Sequence, residues 1–490
     1  MSTANSMFKS IGFYGSATMI RGLTSFIMLP IYTSVLSPSD YGILELLGLI
    51  LDITTIVVGS KLSASIMRYY SLASTNNEKS NVIYSALSLG VAINTIGIVV
   101  LWLLASKISL ITFNTADYSL YIQIYALTLL TTVFSDTSFV ILRAMNKAKQ
   151  FFLFSVLKVI LQVFFNVLFI IVYDYGILGL IYSGVISGVL LSIILLIYIS
   201  LFHKFSVSLQ IMRSLIGFSF PIVMAALLEF YVVFGDRYFI NYFSGVAEVG
   251  IYSIAYKFGF LLLMISFGPF SAAWEPKAYQ VVKEKKPIIF FQNYFLISMF
   301  WIFIFATGIA SFSFEIITII TTGTDFLPAA LLIPPIILAY TFQGIDGYCK
   351  FGIFVSGKTK HHFYAVFLST IIATIGYFLF IPEYGALGAA WVTVFAIATK
   401  TLWQYFAGKY YFDMELKWKP IISLFFISIV AVVFCNWYVV ESFSLSIIIK
   451  LLVMLVYLIL IWNFTFLTKV QKSIVIEEVT NKLKLLRLSK

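Results

Sequence analysis

Residues 11–36 read IGFYGSATMIRGLTSFIMLPIYTSVL, an apolar run that is long enough to cross a bilayer as a helix. Arg21 lies near the middle of this run, where a charge is costly and therefore indicates function. On a helix, the polar residues spaced around Arg21 fall on one stripe with it, namely Tyr14, Thr18, Ser25 and Tyr32. Because a lone charge facing lipid would have no such companions, the stripe predicts a wall that faces water or another part of the protein.

The composition of the whole chain repeats this pattern. Of its 490 residues, 61% are hydrophobic and only 11% are charged, against roughly 25% charged in an average soluble domain. Apolar runs extend for about twenty residues without the alternation that a transmembrane β-barrel would show. The sequence therefore predicts an all-α integral membrane protein.

The hydropathy of the chain predicts fourteen transmembrane helices. They cover residues 11–36, 41–63, 82–106, 118–142, 151–173, 176–201, 214–235, 249–273, 288–311, 326–348, 362–381, 385–407, 420–440 and 445–467. Of the 32 basic residues, 24 lie in the loops on one side, and only Lys107 and Arg237 lie in the loops on the other. Since Lys and Arg accumulate in cytoplasmic loops, both termini are predicted to be cytoplasmic.

The charge and the cysteines exclude several other classes of function. The net charge of +11 lies in these loops, where it sets topology, so nucleic acid is not expected as a partner. The two cysteines, Cys349 and Cys435, and the three histidines form no metal-binding pattern. No P-loop is present, so the chain encodes no ATP motor, and no cofactor is expected.

Short internal repeats divide the chain into two similar halves. The stretch 174–179 (DYGILG) recurs at 383–388 (EYGALG), and 41–43 (YGI) resembles 249–251 (VGI), with offsets near 208. An even number of helices in each copy gives both copies the same orientation, so the repeat is parallel. The predicted organisation is a six-helix lobe at 1–208, a second at 209–411, two further helices at 412–468 and a basic amphipathic tail at 469–490.

Ionisable residues within the first two helices of each lobe are candidates to line a path between the lobes. Asp52 and Glu45 lie in the second span. Glu229 and Asp236 lie seven residues apart at the seventh span, and Lys257 lies in the eighth span. The offset of 208 places Glu229 opposite Arg21.

Each of these charges also has a structural interpretation. Arg21 would pair with Asp52 or Glu229 for packing alone, and Lys257 would equally bind an anion or complete a structural pair. Asp236, beside Arg237 at the outer boundary, would gate the path or simply be solvated.

Other charged residues near the span ends have expected roles of their own. Arg68 would anchor topology, and Asp346 would pair with Lys350 one turn away. Three lysines are expected to extend toward the interface from helix ends, namely Lys61, Lys400 and Lys450.

Several short motifs give the sequence a resemblance to a known family. They are 29–33 (LPIYT), 36–42 (LSPSDYG), 68–69 (RY), 236–237 (DR), 249–252 (VGIY) and 273–276 (AWEP). With them the chain resembles the O-antigen type of polysaccharide flippase in the multidrug/oligosaccharidyl-lipid/polysaccharide exporter superfamily. The resemblance implies a bacterial inner-membrane flippase that moves an undecaprenyl-diphosphate-linked oligosaccharide to the outer leaflet by alternating access through a cationic cavity.

The resemblance also implies roles for single residues. In the related lipid II flippases, arginines on the first and eighth helices line the cavity, and Arg21 and Lys257 occupy those helices here. Lys61 and Arg68 are the further cationic candidates for the diphosphate. A set of acids would couple an ion gradient of protons or sodium, or gate the path: Asp52, Glu229 and Asp236. Expected partners are membrane lipid, a polysaccharide polymerase and chain-length proteins.

Two other functions stay open at this point. A multidrug or cation antiporter of the same superfamily would need acids more than cations in its cavity. A membrane polysaccharide polymerase or glycosyltransferase would need large outer loops, whereas the longest loops here have about twenty residues.

Overall fold

The computed structural model of the protein describes residues 26–57, 62–282, 287–437 and 442–464, together with residues 13, 16, 19, 20, 22 and 24. Within these residues every regular element is a helix. The α-helices, numbered in chain order, are α1 (Leu29–Val35), α2 (Pro38–Val57), α3 (Ser63–Leu72), α4 (Asn76–Phe113), α5 (Ser119–Ala126), α6 (Thr128–Ala144), α7 (Ala148–Asn166), α8 (Gly176–Ser200), α9 (Leu209–Phe234), α10 (Asp236–Ser244), α11 (Val246–Leu262), α12 (Gly268–Val281), α13 (Pro287–Ser311), α14 (Ser313–Ile320), α15 (Ala329–Cys349), α16 (Phe351–Val355), α17 (Lys360–Tyr411), α18 (Trp418–Trp437) and α19 (Phe443–Phe464). Two π-helical turns, Val167–Val172 and Leu263–Phe267, extend α7 and α11.

Ten helices within the described residues are long and apolar enough to cross a membrane. Their outer surfaces carry large apolar side chains, such as Leu103 with 79% of its surface exposed, as expected of helices that face lipid. The chain is therefore a multi-pass helical membrane protein, as the composition predicts. These ten helices coincide with the predicted spans from 82–106 onward, apart from 214–235. The total of fourteen spans and the position of the termini stay predictions.

The two spans predicted at 362–381 and 385–407 lie in one element, α17. The break between them is at Gly385, where φ is 54° and ψ is −138°, a conformation that only glycine adopts without strain. The matching turn at the start of α8 contains Gly176, with φ of 53°. Three residues further on in each copy a second glycine, Gly179 or Gly388, packs against a phenylalanine carbonyl with no room for a side chain. The repeated sequence thus forms a repeated turn.

Contacts divide the chain into two units. Unit 1 comprises Met1–Ser253 and Thr321–Phe326, and unit 2 comprises Ile254–Ile320 and Leu327–Lys490. The core of unit 1 is largely aliphatic, with Ile66 and Ile83 among its buried residues, whereas that of unit 2 is rich in aromatic rings, including Trp274. The two units are defined by contacts between residues and not by the sequence repeat. The lobes at 1–208 and 209–411 therefore stay a prediction. The tail at 469–490 lies outside the described residues.

Candidate substrate site

Helix α2 carries two carboxylates on one face, in a sequence that is otherwise mostly apolar. Asp52 is exposed and lies close enough to Tyr125 and Tyr238 to interact with them electrostatically. Glu45, two turns earlier, is half-buried and hydrogen-bonds Tyr41. An accessible carboxylate within an apolar membrane helix is expected to face a water-filled path or the interior of a bundle, because lipid does not solvate it.

Glu229 and Asp236 lie seven residues apart but in different surroundings. Glu229 is exposed on α9, whereas Asp236, the first residue of α10, has none of its surface exposed. The expectation that Asp236 is simply solvated is therefore wrong. Of these two acids, Glu229 is the one that a ligand on the surface of unit 1 can reach.

Asp236 belongs to a buried hydrogen-bonded cluster in unit 1. Its Oδ1 accepts hydrogen bonds from the backbone N–H of Arg237 at 2.9 Å and from Arg237 Nη1 at 3.0 Å. The hydroxyl of Tyr252 donates to Oδ2 at 2.6 Å, and Arg237 Nε donates to Ser253 Oγ at 3.3 Å. The guanidinium also lies 5.0 Å from the ring centroid of Phe234. The cluster satisfies both charges within the protein and joins the start of α10 to α11.

Arg68 lies on α3 with an exposed side chain. Its guanidinium carbon is 4.8 Å from the ring centroid of Phe218 and 5.7 Å from that of Tyr69, a cation–π arrangement. One turn away, Ser219 Oγ donates to Ser65 Oγ at 3.1 Å. The aromatic rings therefore fix the position of the guanidinium while its exposed edge can still bind an anion.

Of the remaining cationic candidates, only Lys257 lies within the described residues. Lys257 lies on α11 in unit 2 with a half-buried side chain. Arg21 and Lys61 lie outside the described residues. Their assignment to the diphosphate therefore stays a prediction from the sequence.

The structure corrects the expected environment of two lysines in unit 2. Lys400 is buried rather than extended toward the interface, and its Nζ lies 3.3 Å from Asp346 Oδ2 and donates to Gln343 Oε1 at 2.8 Å. The pairing expected between Asp346 and Lys350 is replaced by this contact with another helix.

Lys450 is buried as well, and its Nζ donates to Glu315 Oε2 at 2.8 Å. The hydroxyl of Ser446 donates to Glu315 Oε1 at 2.6 Å. Both lysines thus join helices by ion pairs inside the protein.

Tyrosines on other helices complete the surroundings of α2, and no sequence pattern distinguishes them. Tyr125 lies on α5 and Tyr238 on α10. Buried Asn166 donates from its side-chain amide to the Tyr32 hydroxyl at 2.8 Å and accepts a hydrogen bond from Ser183. Only Tyr32 was visible in advance, through its place on the Arg21 stripe; a tyrosine in an aromatic-rich membrane sequence gives no separate signal.

The described ranges contain no group of three or more His, Cys, Asp or Glu side chains that could hold a metal ion. The site is instead a set of carboxylates and tyrosines on an accessible surface of unit 1, with a buried ion pair beside it. Such a surface can hydrogen-bond hydroxyl groups or attract a cation, and it contains no arrangement of nucleophile and base.

Solved structures show what this fold is similar to. The lipid II flippase MurJ in an inward closed conformation superposes with a TM-score of 0.74 at 16% identity, over 93% of this chain and 99% of that chain. An inward-facing multidrug resistance MATE family transporter of the MOP superfamily gives a TM-score of 0.65 at 15% identity, over 85% of this chain and 98% of that chain. An outward-facing structure of such a transporter gives 0.57 at 15% identity, over 85% of this chain and 96% of that chain. The chain therefore has the fold of these membrane transporters.

Sequence comparison identifies the family. No curated protein sequence matches the chain. The sequence profile described as polysaccharide biosynthesis protein matches residues 7–280, more than half of the chain. This chain therefore belongs to the polysaccharide biosynthesis protein family.

Proposed function

We propose that the chain is a flippase that moves an undecaprenyl-diphosphate-linked oligosaccharide from the cytoplasmic to the outer leaflet of the bacterial inner membrane. The family assignment connects the chain with polysaccharide biosynthesis, and its fold is that of a lipid II flippase. Together they favour transport of a lipid-linked saccharide over its synthesis.

The observation that carries the proposal is the exposed carboxylate of Asp52 on an apolar helix, near enough to Tyr125 and Tyr238 to interact with them electrostatically. A carboxylate accepts hydrogen bonds from hydroxyl groups, and a tyrosine offers an apolar ring with a polar tip. Sugars present both hydroxyl groups and apolar ring faces. This surface of unit 1 suits a saccharide that passes through the membrane while its prenyl chain stays in lipid.

The diphosphate needs cations along the same path, because a bare charge cannot cross hydrocarbon. Arg21 is the principal candidate, since a guanidinium binds phosphate through two parallel hydrogen bonds. Lys257 adds a point charge, and Lys61 and Arg68 add further positive charge. The exposed guanidinium of Arg68, which lies over the ring of Phe218, supports including it among these cations.

An ion gradient is the proposed source of energy, with Asp52 and Glu229 as proton or sodium sites and Asp236 as a gating residue. Replacing Asp52 by Asn and Glu229 by Gln together should remove the dependence of flipping on pH, sodium or membrane potential. Unchanged flipping with unchanged dependence would contradict this coupling. Consumption of the product by a polymerase in the outer leaflet would add a further drive.

The test uses the purified full chain in vesicles that contain an undecaprenyl-diphosphate-linked oligosaccharide. Oxidation of sugars by external periodate measures the fraction in the outer leaflet. Vesicles with the chain should expose the internal pool, and Arg21→Ala should abolish this while Arg21→Lys retains part of it. Lys149→Ala, at an exposed lysine in the first turn of α7, is the matched control. Equal exposure in protein-free vesicles, or full activity of Arg21→Ala, would overturn the proposal.

A second candidate is a cation or multidrug antiporter, which the exposed carboxylates Asp52 and Glu229 favour. An antiporter would move a cationic dye against its gradient in the same vesicles and leave the oligosaccharide pool in place. The proposed flippase should do the reverse. A transferase or polymerase would instead change the mass of the oligosaccharide.

A further inference from the structure

Helices α2 and α11 cross in unit 1 with their backbones in direct contact. A methyl group at Gly42 would overlap the carbonyl oxygen of Val246 and lie 3.0 Å from the backbone nitrogen of Gly250. A methyl group at Gly250 would overlap the carbonyl oxygen of Pro38 and lie 2.9 Å from the backbone nitrogen of Gly42. Glycine is therefore required at both positions for the helices to approach this closely.

The contact is symmetric with respect to the sequence repeat. Gly42 and Gly250 are 208 residues apart, and so are Pro38 and Val246. Gly42 thus contacts the carbonyl group of Val246, and Gly250 contacts the carbonyl group of the equivalent residue, Pro38. A two-fold relation between the two helices explains why both contacts have the same form.

Both helices begin at this crossing, since Pro38 and Val246 are the first residues of α2 and α11. Asp40 and Glu248 lie in the first turns of these helices, and the distribution of basic residues predicts that the loops before them lie on the outer side of the membrane. The crossing therefore lies at the outer end of the two helices that the repeat places beside the substrate path.

The buried cluster of Asp236 supports this crossing from α10. Tyr252, two residues beyond Gly250, donates its hydroxyl to Asp236, and Tyr41, next to Gly42, interacts electrostatically with Arg237. Asp236 and Arg237 are neighbours in sequence, so their ion pair persists when α2 and α11 separate.

We infer that the crossing of Gly42 with Gly250 is the outer gate of the path, closed in this structure and opened when the substrate leaves. The inference rests on the proposed function. The contact is made by backbone atoms at the two glycines, and Asp236 and Arg237 keep their ion pair when the helices separate. The contact can therefore break and re-form in each transport cycle.

Alanine substitutions at the two glycines test the gate, and the same helix supplies a matched control. Gly42→Ala and Gly250→Ala should each prevent closure. Gly48→Ala adds the same methyl group to α2 at a position where nothing lies within 4 Å, and all three substitutions raise helix propensity alike.

Spin labels report closure without any transport assay. The labelled cysteines replace Ser39 and Ala247, which are equivalent in the repeat and flank the crossing. The two native buried cysteines, Cys349 and Cys435, are first replaced by alanine. In lipid nanodiscs, pulsed electron paramagnetic resonance should show a short-distance population for the chain with native glycines and for Gly48→Ala. Gly42→Ala and Gly250→Ala should reduce that population at least fivefold.

A short-distance population that survives in both gate variants would overturn the inference. Should the gate variants not fold, the labelled chain with native glycines provides the test on its own. Undecaprenyl-diphosphate-linked oligosaccharide should then shift the distance distribution, and one fixed distance with and without it would overturn the gate. Flipping is measured separately in vesicles. Loss of flipping in every variant and in the chain with native glycines would contradict the proposed function, whereas the spin-label distances test the gate independently of transport.

Discussion

Acidic residues of this protein lie in two opposite kinds of surroundings. In unit 2, Glu315 and Asp346 are buried, and each has a lysine partner on another helix, Lys450 at 2.8 Å and Lys400 at 3.3 Å. In unit 1, Asp52 is exposed on a helix that is otherwise mostly apolar. A buried and paired charge holds helices together, whereas an exposed charge within such a helix can meet a passing ligand.

The cluster of Asp236 and Arg237 shows that this difference follows the surroundings and not the unit. It lies in unit 1, yet both side chains are buried and hydrogen-bonded. Burial and partners, more than position along the helix, therefore separate structural charges from candidate transport residues. The predictions below test this separation.

The largest effect is expected from breaking a buried pair in unit 2. Glu315→Met should lower the free energy of unfolding by about 3–5 kcal/mol, because Lys450 stays buried with its charge uncompensated. Titration with sodium dodecyl sulfate, followed by tryptophan fluorescence, measures this loss. Glu315→Met combined with Lys450→Met should recover most of it, since two apolar side chains leave no buried charge. An equal loss in the single and double variants would contradict the structural role of the pair.

The opposite result is expected for Asp52, an exposed acid of unit 1. Asp52→Asn should reduce flipping about tenfold, equivalent to about 1.4 kcal/mol, and change the free energy of unfolding by less than about 0.5 kcal/mol. The vesicle assay and the detergent titration measure the two quantities on the same preparation. A loss of stability similar to that of Glu315→Met would remove the distinction between the two regions.

A buried group without an opposite charge should make stability depend on pH. His203, between α8 and α9, is buried, its Nδ1 lies 3.4 Å from Ser80 Oγ, and its Nε2 has no hydrogen-bond partner in the described part of the chain. Burial, and secondarily the charge of Lys79, lowers the pKa of His203 below its ordinary value of 6.5.

The sign of the effect follows from this lowered pKa. Unfolding lets His203 bind a proton more readily, so its contribution to stability is fully present above about pH 6.5 and is lost as pH falls through the lowered pKa. Unfolding measured between pH 5 and 8 should show the loss, and His203→Gln should reduce it. A pH profile of the variant that overlays the original one would contradict the assignment.

The smallest effect is expected at Arg68. Phe218→Leu keeps an apolar side chain but removes the aromatic face, and it should cost about 0.5–1 kcal/mol of stability through the lost cation–π contact. The same substitution in an Arg68→Ala background should have a smaller effect, and the difference measures the coupling of the pair. Equal effects in both backgrounds would show that the ring packs without regard to the charge.

Hydropathy was sufficient to predict the class of fold and most of the helices, because the lipid environment requires long apolar segments. It was less informative about where helices end. The span predicted at 82–106 belongs to a helix from Asn76 to Phe113, which starts at a capping box formed by Thr75 and Glu78. Polar residues can extend a membrane helix into water, but a hydropathy profile detects only the apolar part of such a helix.

The candidate site was predictable only in part. Intramembrane charges are visible in the sequence, but their partners are not, since Lys450 meets an acid 135 residues away. The expectation that Lys400 and Lys450 extend toward the interface considered each helix alone and so missed both ion pairs. Tyr125 and Tyr238 near Asp52 were missed for the same reason, because no local pattern shows which helices become neighbours.

The crossing of Gly42 with Gly250 has the geometry of a contact between identical subunits. In a dimer of identical subunits, a two-fold axis requires that each residue at the interface meets its partner's counterpart, an isologous contact. Here two stretches of one polypeptide meet in that way, Gly42 against Val246 and Gly250 against Pro38. The crossing thus has the form of an isologous interface within one chain, and a side chain added at either glycine would overlap a backbone carbonyl oxygen.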